Sequence, residues 1–200
     1  MNKYGLVANI CEQLFFAAEN YLDDPDDANG ENAYIEELMT ALEFIQELGE
    51  YADESLILEK QEGNWNIWWN NEDWYVFAQV IDEDTYHFEV HEEGEFDAEI
   101  LAIKFAPHIL KAKIQDPKLT GDMGDYWLDT EIAPMIRDVG NYQDNDMIIE
   151  ITDDEATLYY KDDIKAIKIV VDEDATAFYD IIYFSDAGLL KEILAKFEEK

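Results

Sequence analysis

The 200-residue sequence predicts an α+β fold: an N-terminal αα-hairpin followed by two antiparallel β-meander-plus-helix units. Three observations predict it. Apolar residues recur at helical spacing through the first fifty positions. The pattern then changes to short aromatic and β-branched runs separated by acidic turns. A helical period returns after each set of runs.

Residues 4–22 carry Val7, Ile10, Leu14, Ala18 and Tyr21 on one helical face, and residues 31–51 carry Ile35, Leu38, Leu42, Ile45 and Leu48. Asp24 precedes Pro25 and is pushed out of helix, and Asn29-Gly30 is a turn dipeptide. The spacing therefore predicts a helical hairpin over 1–54. "SLILEK", "NWNIWWN", "WYVFAQVI" and "YHFEVHE" read as four strands, and "FDAEILAIKF" as a helix that Pro107 ends or kinks. These make a first β-meander-plus-helix unit over 55–113. Residues 114–140 read as a linker with a short helix, "DTEIAPMIRDVG". A second unit over 141–200 holds "MIIEIT", "TLYYK", "IKAIKIVV", "TAFYDIIYF" and a closing helix capped by Ser185. "VIDEDTYHF" resembles "VVDEDATAF", and "FDAEILAIKF" resembles "SDAGLLKEILAKF". These likenesses suggest an internal duplication; chance similarity between two acidic meanders is the alternative.

Composition narrows the function. Hydrophobic residues make up 48%, with five Trp and twelve Tyr, so the chain can build a core and is unlike a disordered acidic tail. Against 49 Asp and Glu stand 13 Lys and Arg, a formal net charge of −36. Charge so far from zero destabilises the compact state by self-repulsion. Arg137 is the only arginine, so the usual fork for phosphate is missing and direct nucleic-acid binding is not expected. An anionic membrane would repel the chain, and no apolar run is long enough to span one. The first twenty residues read as a helix rather than a signal peptide. Cys11 is the sole cysteine, which rules out an intrachain disulfide and suits a reducing cytoplasm.

No motif carries a recognisable chemistry. The acidic connector fails as a calcium loop: with Gly30 at position 6, position 1 falls on Pro25, which has no side-chain oxygen. His87, Glu89 and His91 share one strand face and could approach a metal, but alternation with Tyr86, Phe88 and Val90 reads more simply as a polar face opposite a core face. Cys11 reads as a buried, inert thiol and His108 as an ordinary residue. The four tryptophans of "NWNIWWNNEDWYVF" read as core, with an interface anchor as the second reading. No catalytic residue, cofactor or metal site is expected.

The acids form patches along the whole chain: Asp23, Asp24, Asp26, Asp27 and Glu31; Asp82, Glu83 and Asp84; Glu92, Glu93 and Glu95; Asp153, Asp154 and Glu155; Asp172, Glu173 and Asp174. Carboxylates three or four apart on a helix lie ~5–6 Å apart at Cβ, and alternate strand residues about 6.5–7 Å apart. Rows of phosphate in duplex DNA fall in a similar range. Small size, extreme acidity, ample aromatics and near-absence of arginine resemble the acidic DNA-mimic inhibitors of phages and mobile elements. Members of that class block restriction enzymes, CRISPR effectors, uracil glycosylases, nucleoid proteins or polymerases. The resemblance implies a non-enzymatic inhibitor, of anti-restriction or anti-CRISPR type. It would act in the cytoplasm of a bacterial host, with a basic nucleic-acid-binding protein as partner and the acidic patches as its binding residues. A homodimer is compatible with the sequence. An immunity protein against a basic, nuclease-like toxin is the alternative reading, and a halophilic globular domain a further one.

Overall fold

The computed structural model describes residues 2–23, 33–71, 73–82, 85–92, 104–116, 119, 124–163, 165–172, 177–183 and 189–198. The chain divides into two compact units, Met1–Leu101 and Ala102–Lys200.

In the first unit, α1 (Lys3–Asp23) and α2 (Ala33–Leu48) form the expected hairpin. Asn2 caps α1: its Oδ1 accepts the Gly5 N–H at 2.8 Å, which satisfies one of the orphan donors of the first turn. The chain leaves α2 through Gly49, whose φ of +77° belongs to the left-handed conformation that ends helices most cheaply in glycine. An antiparallel sheet follows in sequence order: β1 (Tyr51–Ala52), β2 (Leu56–Gln61), β3 (Asn64–Asn70), β4 (Trp74–Asp82) and β5 (Thr85–Glu92). Gln61 pairs with Asn64 across the two-residue turn Glu62-Gly63, both at positive φ, as tight hairpins require. Ile10, Leu14, Ala17 and Ala18 of α1 and Leu38, Ala41 and Ile45 of α2 bury against Leu56, Leu58, Ile67, Trp69, Val76, Ala78 and Val80. Tyr34 of α2 stacks on Phe88 of β5, with centroids 5.5 Å apart and planes 11° apart.

The second unit starts with α3 (Ala106–Gln115). A longer helix then runs from α4 (Gly124–Trp127) through a π-turn (Leu128–Ile132) into α5 (Ala133–Val139). Its sheet is β6 (Tyr142–Gln143), β7 (Met147–Ile151), β8 (Ala156–Lys161), β9 (Lys165–Val171) and β10 (Ala177–Tyr183), again in sequence order. Leu110, Ile114, Leu128, Ile132 and Ile136 pack on one sheet face against Met147, Ile149, Leu158, Tyr160, Ile167 and Ile169. The last helix, α6 (Leu189–Glu198), covers the other face, where Ile193 meets Ile148, Tyr159 and Ala166.

The α+β architecture is as the sequence predicts, but the elements are grouped differently. Pro107 lies in the first turn of α3, where its missing N–H costs nothing; Lys104 before it is helical and Phe105 is a turn. The stretch 93–103, which holds most of "FDAEILAIKF", and Ser185 lie outside the described residues. The region 114–140 is not a linker: residues 124–139 are helical and supply the buried Leu128, Ile132, Ala133 and Ile136. Each helix pair therefore precedes its meander.

The two units repeat each other in register. Apart from Gln61–Asn64 and Asp82–Thr85 at the turn ends, each paired position from β1 to β5 has a described counterpart 91 residues later: Leu58–Ile67 matches Ile149–Leu158, Ala78–Phe88 matches Ile169–Tyr179, and Trp74–Glu92 matches Lys165–Tyr183. Gly49 matches Gly140, which also has positive φ. The corner after each helix is the same. Tyr51 Oη donates to Asp53 at 2.6 Å, and Tyr142 Oη donates to Asp144 at 2.9 Å. Each aspartate Oδ1 accepts two backbone N–H groups, Ser55 and Leu56 in one unit, Asp146 and Met147 in the other. From α4 into the π-turn the offset is 90, not 91. Thr40 Oγ1 donates to the Glu36 carbonyl and Thr130 Oγ1 to the Tyr126 carbonyl. The π-turn absorbs the one-residue difference, as such turns do. The likeness between "VIDEDTYHF" and "VVDEDATAF" aligns Val80 with Val170, whereas strand pairing aligns Val80 with Val171. A one-residue slip exchanges the faces of a strand, so pairing decides the register.

Candidate acidic interface

No aspartate or glutamate is among the buried residues described. The acids are not evenly matched by bases, however. Residues 1–101 hold 27 Asp and Glu but only Lys3 and Lys60, whereas residues 102–200 hold 22 acids and 11 bases. In the second unit, bases are tied to local partners. Lys111 Nζ bridges to Asp144 and lies 4.0 Å from Asp146. Lys113 pairs with Glu131 at 3.0 Å, and Lys196 donates to both oxygens of Glu150 at 2.9 Å. Arg137 Nη2 donates to the carbonyls of Val171 and Asp172, at 3.3 and 2.6 Å, so the one guanidinium serves the end of β9. In the first unit, Lys3 lies over the Tyr51 ring and Lys60 over the Trp65 ring. Two cations cannot neutralise 27 carboxylates one to one.

Winding the sequence onto the two helices sorts these acids. Glu12, Glu19 and Asp23 stand at i, i+7 and i+11 on α1, and Glu36, Glu43 and Glu47 repeat that spacing on α2; all six are exposed. At 3.6 residues per turn the three positions stay within ~20° of one line, and they rise by about 10.5 and then 6 Å. Three and two phosphate steps along one DNA strand rise by about 10.2 and 6.8 Å. The opposite helix faces are held down by Ile10, Leu14, Leu38 and Ile45, so the two stripes face away from the sheet. They run antiparallel, because the helices form a hairpin. Glu50 and Glu54, both exposed, continue the acidic surface past the end of α2.

Of the patch residues read from the sequence, Asp23 falls in a stripe, and Asp153, Asp154 and Glu155 form the exposed tip of the β7–β8 turn. Asp172 is half-buried at the end of β9 beside Arg137. Asp82 and Glu92 lie in strands, with their side chains outside the described set. Asp24, Asp26, Asp27, Glu31, Glu83, Asp84, Glu93, Glu95, Glu173 and Asp174 lie outside the described residues. Glu12, Glu19, Glu36, Glu43 and Glu47 were not singled out by runs of acids. The signal that finds them is the helical wheel, since they are separated in sequence and aligned only once wound.

The other candidates resolve into local structure. His87 Nε2 lies 2.5 Å and His91 Nε2 3.4 Å from the two oxygens of Glu89, on the sheet face opposite the core. The hydrogen bond from His87 holds the Glu89 carboxyl below its ordinary value. Among the described residues no group of ligands is arranged to hold a metal ion. Cys11 is half-buried; burial chiefly, with the nearby Asp53 charge, pushes its thiol up to about 11, while a Trp69 hydrogen bond opposes the shift. Trp69 is buried, and Trp65 and Trp74 pack partly against the same core. An open cleft of about 390 Å³ is lined by Asn141, Tyr142, Gln143, Ile148, Ile149, Glu150 and Lys196, and its charges are the Lys196–Glu150 pair.

Compared with the models of known families, with curated proteins and with solved structures, the chain matches none.

Proposed function

We propose that this protein is a DNA-mimic inhibitor that occupies the basic nucleic-acid groove of a host defence or DNA-processing protein. The observation that carries the reading is the pair of antiparallel carboxylate stripes, Glu12/Glu19/Asp23 and Glu36/Glu43/Glu47, in a unit with 27 acids and two lysines. Their axial spacing approximates that of phosphates, and the fold beneath fixes it. A groove built for duplex DNA would gain Coulomb attraction and shed its own bound anions on meeting this surface. The charge is carried at the expense of folding stability, which a binding role explains and a passive scaffold does not.

The test is a tagged pull-down from nuclease-treated bacterial lysate, eluted with a salt gradient. The expected result is one dominant DNA- or RNA-handling protein, released only at high salt and displaced by duplex DNA. Changing all six stripe acids to their amides should flatten the salt dependence of binding to that protein by several units of slope. The same change at Asp153, Asp154 and Glu155 should leave it nearly intact. Release of many unrelated basic proteins at low salt would reject the mimic reading. Retention of a toxin that duplex DNA does not displace would favour an immunity protein.

A further inference from the structure

We infer that Phe15 and Phe16 of α1, with Trp74 under Phe15, anchor a partner protein through its arginine side chains. The inference rests on the mimic reading and locates its contact point. Phe15 and Phe16 are 36% and 43% exposed on a helix whose other face is buried. Their rings meet edge to face at 5.9 Å, and Phe15 lies against Trp74 with centroids 5.3 Å apart. The pair interrupts the α1 stripe: Glu12 stands one turn before it and Glu19 one turn after, both exposed, and the exposed Asp73 adjoins Trp74. A surface of aromatic rings between carboxylates suits a guanidinium. The planar cation stacks on a ring, and its edge donors reach the flanking acids. An ammonium can use the acids but gains less from the rings. Arginine is also the side chain that basic grooves most often aim at DNA bases.

The internal repeat argues that the patch is not a requirement of the fold. The position of Trp74, first in β4, is taken by Lys165, first in β9, with the same strand pairing and the same asparagine- or aspartate-capped turn before it. Nothing in the register demands an aromatic residue there. Exposed aromatic rings within a desolvatable rim are the usual energetic centre of a protein interface.

The experiment compares fluorescein-labelled nonaarginine and nonalysine by anisotropy, at fixed salt, with the full-length protein. Both peptides meet the same acids, so the ratio of their affinities isolates the ring contribution. The expected result is that Phe15→Ala/Phe16→Ala lowers the arginine-to-lysine affinity ratio about fivefold. Trp74→Lys, which installs the residue of the second repeat, should lower it in the same direction. Phe16→Ala alone, at the more exposed ring, serves if the double variant loses its circular-dichroism signature. An unchanged ratio in the folded variants overturns the inference. The lysate pull-down is read separately. A duplex-displaced target with an unchanged ratio leaves the mimic reading standing and removes the anchor. A lowered ratio without such a target keeps the arginine anchor and removes the mimic.

Discussion

Asp53 is the most densely used carboxylate described in the first unit. Oδ1 accepts the Ser55 N–H, the Ser55 hydroxyl and the Leu56 N–H at 2.8, 2.9 and 2.7 Å, and Oδ2 accepts the Tyr51 hydroxyl. Hydrogen bonds to a charged group contribute about 1.5–3 kcal/mol each when one partner would be left buried. Asp53→Ala should therefore cost about 2–3 kcal/mol in urea denaturation; a loss below about 0.5 kcal/mol would show that water replaces the corner without penalty. Asp144 repeats the corner with a cation added. Burial raises its carboxyl, but Lys111 and the N–H groups of Asp146 and Met147 outweigh that, leaving it below the ordinary 3.8. A depressed carboxylate contributes stability above its unfolded value, and the contribution is lost as pH falls through the folded one. The acid limb of a urea-midpoint titration below pH 3.8 should thus flatten in Asp144→Asn. Cys11 makes an independent check. With its thiol pushed up to about 11 from 9.0, the thiolate fraction at pH 8 falls about a hundredfold. The folded protein should react with a disulfide reagent at that much lower rate, and urea should restore the ordinary rate.

At the scale of elements, the π-turn is the place where the two repeats differ in length. At its first residue Leu38 corresponds to Leu128, and past its end Ile45 corresponds to Ile136; all four are buried. In a regular α-helix the eight-residue separation would set Leu128 and Ile136 about 80° apart, whereas Leu38 and Ile45, seven apart, stay within about 20°; the π-turn takes up the extra residue. Deleting Thr130, exposed within the turn, should convert it to regular α-helix and keep one cooperative transition for the unit, read by calorimetry. Deleting Glu43 from α2, where no turn can absorb the change, should rotate Leu38 and Ala41 off the core and abolish that transition. The element types were legible because their periods are strong: Val7, Ile10, Leu14 and Ala18 permit only a helix, and "WYVFAQVI" only a strand. The grouping was not. Pro107 breaks a helix interior but is tolerated in a first turn, and sequence alone does not say that a new helix starts at Ala106. "DTEIAPMIRDVG" reads as a short helix within a linker, yet the helical run starts at Gly124 and continues through the π-turn to Val139. The corner "GEYADES" and its counterpart "GNYQDND" share only Gly, Tyr and Asp, too little to register until their hydrogen bonds coincide.

At the scale of the molecule, one architecture carries two charge states. The acid-to-base ratio is 27 to 2 in the first unit and 22 to 11 in the second, and each unit has its own core. The site residues were only partly legible for a related reason. Consecutive acids such as Asp153-Asp154-Glu155 draw the eye in a sequence, but they mark turns, whereas a row that can imitate phosphates needs residues seven and four apart on a rigid helix. Self-repulsion along such a row sets a measurable cost. Carboxylates four apart rise ~6 Å, inside the screening length of about 10 Å at 0.1 M salt, those seven apart rise about 10.5 Å, at its edge, and both exceed the length of about 3 Å at 1 M. Raising NaCl from 0.1 to 1 M should therefore stabilise the first unit by about 1 kcal/mol or more, a rise of roughly 4–8 °C in its melting temperature. The second unit, with 11 bases to 22 acids and Lys111, Lys113 and Lys196 paired to carboxylates, should move less. Tryptophan fluorescence separates the two, since Trp65, Trp68, Trp69 and Trp74 lie in the first unit and Trp127 in the second. Equal shifts would mean that the charge asymmetry has no energetic consequence, and the case for a dedicated acidic face would weaken. A first unit already unfolded at 0.1 M salt would point instead to a halophilic protein, whose acids serve stability in brine and require no partner. A first unit folded at 0.1 M, yet gaining from salt, fits a surface that tolerates its own repulsion until a basic groove relieves it.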